Sequence, residues 1–428
     1  MHNTDTKQKK ILSGLLALSI VLACACGKTE ETEKTRKTRA QKTEEAIVTD
    51  DSEKETETSS ESSADTATEE PETTTEEPET TTETFTSAFD AEKAKNYMAS
   101  IGFDGVVLVA ENDQIVWTHA SGYADRKNKT PNTLDTVFEF GSITKQFTAA
   151  AIMQLEEKGL LSTEDTLDKH IPEYKYADQI TIHQLLNMTS GISDYLFNGM
   201  LGFSFDELNG MTLEMLLDFE DTMTKLVTTP LDKDEFVQKL SEYPLDFTPG
   251  TEYAYSNSNY YLLGIIIERL SGMAYDEYVR ENILQPLNLS DLYPDIDHLT
   301  SDGRTDLFIM SFDLPHQDPT ISYAVGVMTG TAEGLFNWEK CVMDEMLLSE
   351  ESWNKVLDGG AFGYGYGWNI ENGYIEHSGM TLGYNTNVRV DSDSRRVIVV
   401  LSNIQPLEGR DKKPMSSEIC EELWQYYG

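Results

Sequence analysis

Residues 104–126 read DGVVLVAENDQIVWTHASGYADR. Two apolar, β-branched runs flank Glu111-Asn112-Asp113, which predicts a hairpin. Near the other end of the chain, NTNVRVDSDSRRVIVVLSN (385–403) repeats the pattern around residues 391–394. SSEICEELWQYY (416–427) then reads as a helix. Between these ends the patterns are mainly helical, over 142–158, 179–188, 213–226, 233–241, 257–271 and 274–282. Strands at both ends with helices between predict an α+β, two-lobed fold. Its antiparallel sheet is assembled from the chain termini and flanked by helices, and an all-α lobe is inserted.

The chain has 428 residues, more than one ordinary domain needs unless part of it does not fold. Residues 28–87 are Thr, Glu and Ser with almost no large apolar side chains, and EEPETTTEEPETTTETFT repeats a Pro-Glu-Thr unit. Such a segment buries too little apolar surface to offset its ordering entropy, so it should be disordered. Ahead of it, Lys7, Lys9 and Lys10 precede an apolar run over 11–23 that is too short to span a bilayer. A basic start, a short apolar core and small residues behind it describe a secretory signal. The run ends in VLACACG, which resembles the lipobox of bacterial lipoproteins. That resemblance implies a lipidated Cys24, or else Cys26, and an extracellular protein tethered to the membrane. A simple cleaved signal is the blander alternative. The expected organisation is a signal at 1–26, a linker at 27–87 and a folded domain at 88–428.

Lys and Arg number 33 against 75 Asp and Glu, a net charge of −42. Nucleic-acid binding needs a basic stripe to displace counterions, and none is present. The acidity speaks for solubility rather than for a substrate. No His or Cys cluster has metal-ligand spacing, so neither a metal nor any other cofactor is expected. Cys341 and Cys420 are far apart in sequence, and whether they pair stays open.

FEFGSITKQFTAAAIMQLEEKG (138–159) carries the first chemistry. Ile143, Phe147, Ala151 and Leu155 form a buried helical stripe, with Ser142, Lys145 and Ala149 on the adjacent face. A serine hydroxyl is a poor nucleophile unless a neighbouring base takes its proton. A lysine one turn on can do so if its pKa is lowered by burial or nearby cations. The spacing alone is weak, because Ser352-x-x-Lys355 repeats it in SEESWNKVLDGG. There the surroundings are acidic and polar, and the reading is an exposed helix. Two further stretches add partners. PGTEYAYSNSNYYLLGIIIERLSG (249–272) offers Tyr255, a proton relay if a cation depresses its pKa, and Asn257, donor and acceptor for a substrate amide. Their bland alternatives are aromatic packing and a helix cap. GYIEHSGMTLGYNT (373–386) offers His377, Ser378 and Gly379. The next amide, that of Met380, is a candidate partner for the Ser142 amide in an oxyanion hole. For His377 the bland alternative is a half-buried strand residue.

Taken in this order, the three elements resemble the serine β-lactamase and penicillin-binding superfamily, nearest its class C branch with its DD-peptidases and esterases. ITIHQLLNMTSGISDY, GVMTGTAEGLFNWEKCV and YGYGWNIENGYIEHSGMTLGYNTNVRV extend the likeness over essentially 89–428. The resemblance implies that Ser142 forms an acyl-enzyme while Lys145 and Tyr255 share base and acid work. It implies that Asn257 orients the substrate, that the Ser142 and Met380 amides hold the oxyanion, and that His377 and Ser378 face the substrate's far end. The implied activity is a D-alanyl-D-alanine carboxypeptidase-like or β-lactamase-related hydrolase at the cell surface, acting on a small peptide, β-lactam or ester as a monomer. A sensor that is acylated and turns over poorly is the alternative. A Ser-His-Asp hydrolase is disfavoured, because no G-x-S-x-G elbow occurs. The third motif departs from the class C β-lactamases, which carry Lys where His377 stands. A neutral imidazole holds a carboxylate less firmly than an ammonium, which weakens the case for antibiotic resistance. Residues 197–248 are long, Met-rich and acidic, either a lid over the site or extra helix packing.

Overall fold

The computed structural model describes residues 87–196, 227–307, 310–313, 315–406 and 414–427. The signal, nearly all of the linker, Cys24, Cys26 and the helix read over 213–226 lie outside them.

The first hairpin forms as read. Strand β1 (Gly105–Glu111) pairs antiparallel with β2 (Gln114–Ser121) across Asn112 and Asp113, both at positive φ. That is the two-residue turn whose twist matches the flanking strands, and Asn and Asp tolerate its left-handed backbone. Near the other end, β3 (Asn369–Glu371), β4 (Tyr374–Thr381), β5 (Tyr384–Asp391) and β6 (Arg396–Ser402) form a meander. The six strands make one antiparallel sheet in the order β3-β4-β5-β6-β1-β2. Residues nearly 300 positions apart meet where Val106 pairs with Leu401.

Both faces of the central strands are covered, which is why they read as continuous apolar runs. Val107 and Val109 point to one face with Ile398 and Val400. There they pack on α1 (Ala91–Ile101) and on the terminal helix Ser416–Trp424. Val106, Leu108 and Ala110 point to the other face and join the main core. Into that core go α2 (Thr144–Glu157), α3 (Ile182–Leu186), α4 (Lys233–Leu240), α5 (Asn257–Ser271), α6 (Tyr275–Val279), α7 (Pro319–Gly326) and α8 (Ala332–Met343). Of the stretch read as a lid or as helix packing, the described part includes α4, which buries Phe236, Val237 and Leu240. Phe236 stacks on Tyr261 of α5 with ring centroids 3.9 Å apart.

Cys341 and Cys420 are both buried and unpaired. They sit in the two separate cores, on opposite faces of the sheet, so a disulfide between them is ruled out.

The segment entering α2 is tied down at several points. Phe138–Glu139 pairs with Thr329–Gly330, and the Phe140 amide donates to the Met328 carbonyl at 2.8 Å. A single 3₁₀ turn, Gly141–Ile143, then leads into the helix, so Ser142 stands on that turn rather than inside the α-helix.

Candidate active site

Strand β4 runs alongside the turn that carries Ser142, and two glycines permit the approach. Gly141 has φ +57°, and a Cβ there would lie 2.6 Å from the Met380 nitrogen. A Cβ on Gly379 would lie 1.8 Å from the Phe140 oxygen. Only a residue without a side chain fits at either position. The Thr386 hydroxyl on β5 donates to the same Phe140 oxygen at 2.8 Å and fixes the contact. The Met380 backbone is thereby held beside the Ser142 turn.

Lys145 follows one turn after Ser142 and is fully buried. Its Nζ lies 3.0 Å from Ser142 Oγ, 2.9 Å from Asn257 Oδ1 and 3.0 Å from the Val325 oxygen. Two of these three partners, the amide oxygen and the backbone carbonyl, can only accept. A neutral amine has two N–H groups and one lone pair. With both hydrogens drawn to Asn257 and Val325, the lone pair is left for the Ser142 hydroxyl. Burial lowers the Lys145 pKa to about 7, opposed in part by the charge of Asp194. The amine is therefore a competent base near neutral pH.

Asp194 was not singled out in the sequence. One of its carboxylate oxygens accepts from the Asn257 backbone amide and from Asn257 Nδ2, both at 2.8 Å. The other accepts from the Leu196 amide at 2.8 Å. Burial raises its pKa, and the hydrogen bonds from Asn257 and Leu196 oppose the rise. Three donors converging on two oxygens favour the carboxylate form, and the carboxylate also caps the N-terminus of α5. This arrangement fixes the Asn257 amide with its oxygen toward Lys145. Asn257 was expected to meet a substrate amide. Its oxygen and one amide hydrogen are instead already committed, so its first task here is to hold the lysine. It is also not the helix cap, because Ser256 occupies that position.

Tyr255 completes the cluster. Its ring centroid lies 5.0 Å from Lys145 Nζ. Its buried hydroxyl lies within interaction range of Ser142 but off hydrogen-bonding geometry, so it has no formed partner. The expectation that a cation depresses this phenol's pKa is not met. Burial pushes it well above the ordinary value, and the contact with Ser142 only offsets part of the rise. The phenol is therefore protonated at neutral pH, not a phenolate.

His377 was expected to face a substrate carboxylate, and the structure corrects this. The ring is buried, with 3% of its surface exposed. Its Nδ1 donates to the Ser378 carbonyl at 2.6 Å, so Nε2 accepts from the Tyr364 hydroxyl at 3.0 Å. Burial, helped by the nearby Lys145 charge, lowers its pKa to about 3. The imidazole is neutral and has no free nitrogen. Ser378, the next residue on β4, is exposed and is the side chain of that motif open to solvent.

The second Ser-x-x-Lys is structural. Its helix, Glu350–Val356, forms as read, but Ser352 is buried and donates to Glu157 at 2.7 Å. Lys355 reaches Glu156 at 3.3 Å instead of turning to the serine. Among the described residues, no group of His, Cys, Asp and Glu could hold a metal ion.

Residues 91–416 match the family model described as Beta-lactamase. A penicillin-binding protein of Bacillus subtilis (strain 168) is 30% identical over 328 residues, covering 70% of this chain and 68% of that protein. Among solved structures, a penicillin-binding protein from Bacillus halodurans aligns with a TM-score of 0.63 at 23% identity, over 78% of this chain and 99% of that one. A D-amino acid amidase from Ochrobactrum anthropi SV3 aligns with a TM-score of 0.62 at 20% identity, over 78% and 98%. At these identities the two structures establish the fold alone.

Proposed function

The chain belongs to the Beta-lactamase family and is a serine hydrolase, and from that premise we propose that it hydrolyses a small amide or ester through an acyl-enzyme on Ser142. Neutral Lys145 takes the Ser142 proton as Oγ attacks the carbonyl carbon. The negative charge on the carbonyl oxygen is held by the Ser142 and Met380 amides. The tetrahedral intermediate collapses as Tyr255 gives its proton to the departing nitrogen or oxygen, and the ammonium of Lys145 restores that proton to the phenol. Water repeats the sequence on the acyl-enzyme, with Lys145 again neutral, and releases the acid. The observation that carries this reading is the threefold setting of Lys145. Its two acceptor-only partners leave its lone pair for the serine.

For the substrate we favour a small D-amino-acid peptide, amide or ester, in the range from D-alanyl-D-alanine carboxypeptidase-like to β-lactamase-related action. The neutral, fully engaged His377 supports the amide and ester end of that range. Among the described residues no cation stands at that point of β4 to bind a carboxylate, so a terminal carboxylate would meet the Ser378 hydroxyl and backbone amides. A nitrocefin, D-Ala-D-Ala peptide, D-amino acid amide and short-chain ester panel tests this, each against Ser142→Ala. We expect turnover of the amide or ester that exceeds nitrocefin hydrolysis and vanishes in the variant. Stable acylation without turnover on any member would replace the enzyme with a sensor.

We further place the protein outside the cell, held by a lipid on Cys24 or Cys26 and spaced from the membrane by the Thr/Glu-rich segment. The sequence pattern of residues 1–87 supports this. Globomycin treatment, or replacement of both cysteines, should release the protein from the membrane fraction, and unchanged membrane association would refute the anchor.

A further inference from the structure

Tyr364, whose hydroxyl donates to His377, also lines a cavity of about 680 Å³ to which Ser142, Lys145, Tyr255 and Asn257 contribute nothing. The volume is that of a small-molecule site, large enough for one or two sugar rings. It lies between the end of α2, helix α3 and the loop 358–366.

The deep wall is a relay of polar groups with a defined direction. The Thr189 hydroxyl donates to Asn187 Oδ1 at 2.6 Å. In that orientation Asn187 Nδ2 donates to His183 Nε2 at 2.9 Å. His183 therefore carries its proton on Nδ1 and donates it to the Tyr366 oxygen, 2.6 Å away. The Tyr366 hydroxyl hydrogen has no acceptor left in the relay. Tyr366 is 4% exposed and lines the cavity, so the relay ends in a hydroxyl whose hydrogen none of its members accepts. A ligand that reaches the deep wall must accept.

The mouth is different. Glu156 is neutralised by Lys355 at 3.3 Å, which leaves the carboxylates of Glu164 and Asp358, both exposed, as acceptors at the entrance. Phe362 stands over this entrance, 36% exposed, with its ring 6.2 Å from that of Tyr253 at an interplanar angle of 30°.

We propose that this cavity binds a neutral saccharide. An anion would meet two carboxylates at the entrance that have no cation partner among the described residues, Asp358 accepting only from the Gly360 amide. A cation would satisfy the entrance but could not accept from Tyr366. A hydroxylated ring both donates and accepts, and its C–H face packs on an aromatic plane such as Phe362. The proposal does not rest on the acyl-enzyme reading, since it concerns binding at a separate place.

The test is direct binding to the full chain, by NMR line broadening and calorimetry. The probes are glucose, N-acetylglucosamine and its β-1,4-linked disaccharide, with inorganic phosphate and lysine amide as charged controls. Tyr366→Phe removes the donor and keeps the ring, and Phe362→Ala removes an exposed ring. We expect at least one sugar to bind with a Kd of about 1 mM, and neither control to compete with it. Tyr366→Phe should weaken it about fivefold, the loss of one hydrogen bond, and Phe362→Ala should weaken it by a similar factor. Both variants should keep the far-ultraviolet circular dichroism of the parent. If Tyr366→Phe does not fold, Phe362→Ala decides alone. The proposal is overturned if no sugar binds at about 50 mM, if both variants bind as the parent does, or if lysine amide binds more tightly than every sugar.

Discussion

Replacing Asp194 by Asn separates two effects that the structure assigns to one carboxylate. In the parent, Lys145 titrates near 7 where an ordinary lysine amine titrates at 10.5. At pH 7 about half of this amine is neutral, against roughly one part in three thousand for an unshifted lysine, so burial raises the reactive fraction about a thousandfold. The base must be neutral, and the rate should therefore climb with pH through about 7 and fall about tenfold per unit below it. Asp194 is the group whose charge opposes the lowering. In Asp194→Asn that opposition is gone, so the Lys145 pKa drops further and the acid limb moves to lower pH. The plateau should fall at the same time. One of the three N–H groups now held by the carboxylate must face an amide nitrogen, and losing a hydrogen bond to a charged group costs about 1.5–3 kcal/mol. If it is lost from the transition state, that corresponds to a roughly ten- to a hundredfold lower kcat/KM plateau. The assay is kcat/KM for a chromogenic short-chain ester from pH 5 to 9, with Ser142→Ala as background. A lower plateau with an earlier acid limb cannot come from general destabilisation, which would lower the plateau alone. A limb that stays in place or moves to higher pH would refute the assignment of Asp194 to Lys145.

Four further variants test other contacts. Ser142→Ala should abolish labelling by a fluorophosphonate or a fluorescent penicillin. Ser352→Ala should leave labelling intact and destabilise by about 1 kcal/mol through its lost bond to Glu157, and the reverse pattern would mean the wrong serine was chosen. Tyr255→Phe should slow turnover about a hundredfold without lowering Tm, because the hydroxyl it removes is buried without a formed hydrogen bond; a large fall in Tm would show a structural hydroxyl instead. Glu339 is fully buried beside Gln146 and Trp368, with neither carboxyl oxygen in a formed hydrogen bond, and burial raises its pKa to about 8 from 4.5. Its folded state holds the proton that the unfolded chain has lost, so it removes stability as pH rises from 4.5 to about 8. Glu339→Gln should flatten that decline in thermal melts, and an unchanged slope would count against it.

The sheet and its helices were legible because their signals are local. Apolar, β-branched runs flanking Asn112-Asp113 and residues 391–394 announce hairpins, and the antiparallel closure of β6 on β1 needs only that both ends of the chain carry such strands. Ser142 and Lys145 were legible for the same reason, being one helical turn apart. What the sequence left out are contacts made across long separations. Asp194 acts on a backbone amide 63 positions away, and one acid among 75 acidic residues gives no count that marks it. The Val325 carbonyl that fixes the Lys145 amine belongs to the backbone, so no side chain announces it. Ser352-x-x-Lys355 has the same spacing as Ser142-x-x-Lys145. Local surroundings hint at the difference, and Asn257, Val325 and Tyr255, supplied by distant elements, make it in space.

Burial depth is the property that spacing cannot carry, and in this site it sets which group is protonated at neutral pH. Tyr255 sits beside a cation, so proximity alone predicts a lowered phenol pKa. Desolvation acts on whichever form is charged. For Lys145 that is the protonated form, so removal from water lowers its pKa toward neutrality. For Tyr255 it is the deprotonated form, so the same removal raises its pKa. One physical cause therefore drives the two groups apart. At neutral pH it leaves an amine able to accept a proton next to a phenol that still holds one. The ring of His377, neutral and closed off by Tyr364 and its own neighbour's carbonyl, adds no competing charge to that pair. An ammonium in its place would share the same dry volume as Lys145 and push the lysine pKa lower still, or be forced to give up its own proton. His377→Lys should accordingly shift the acid limb or lower Tm, and a variant with an unmoved limb and unmoved Tm would show that the third motif is electrically remote from the first.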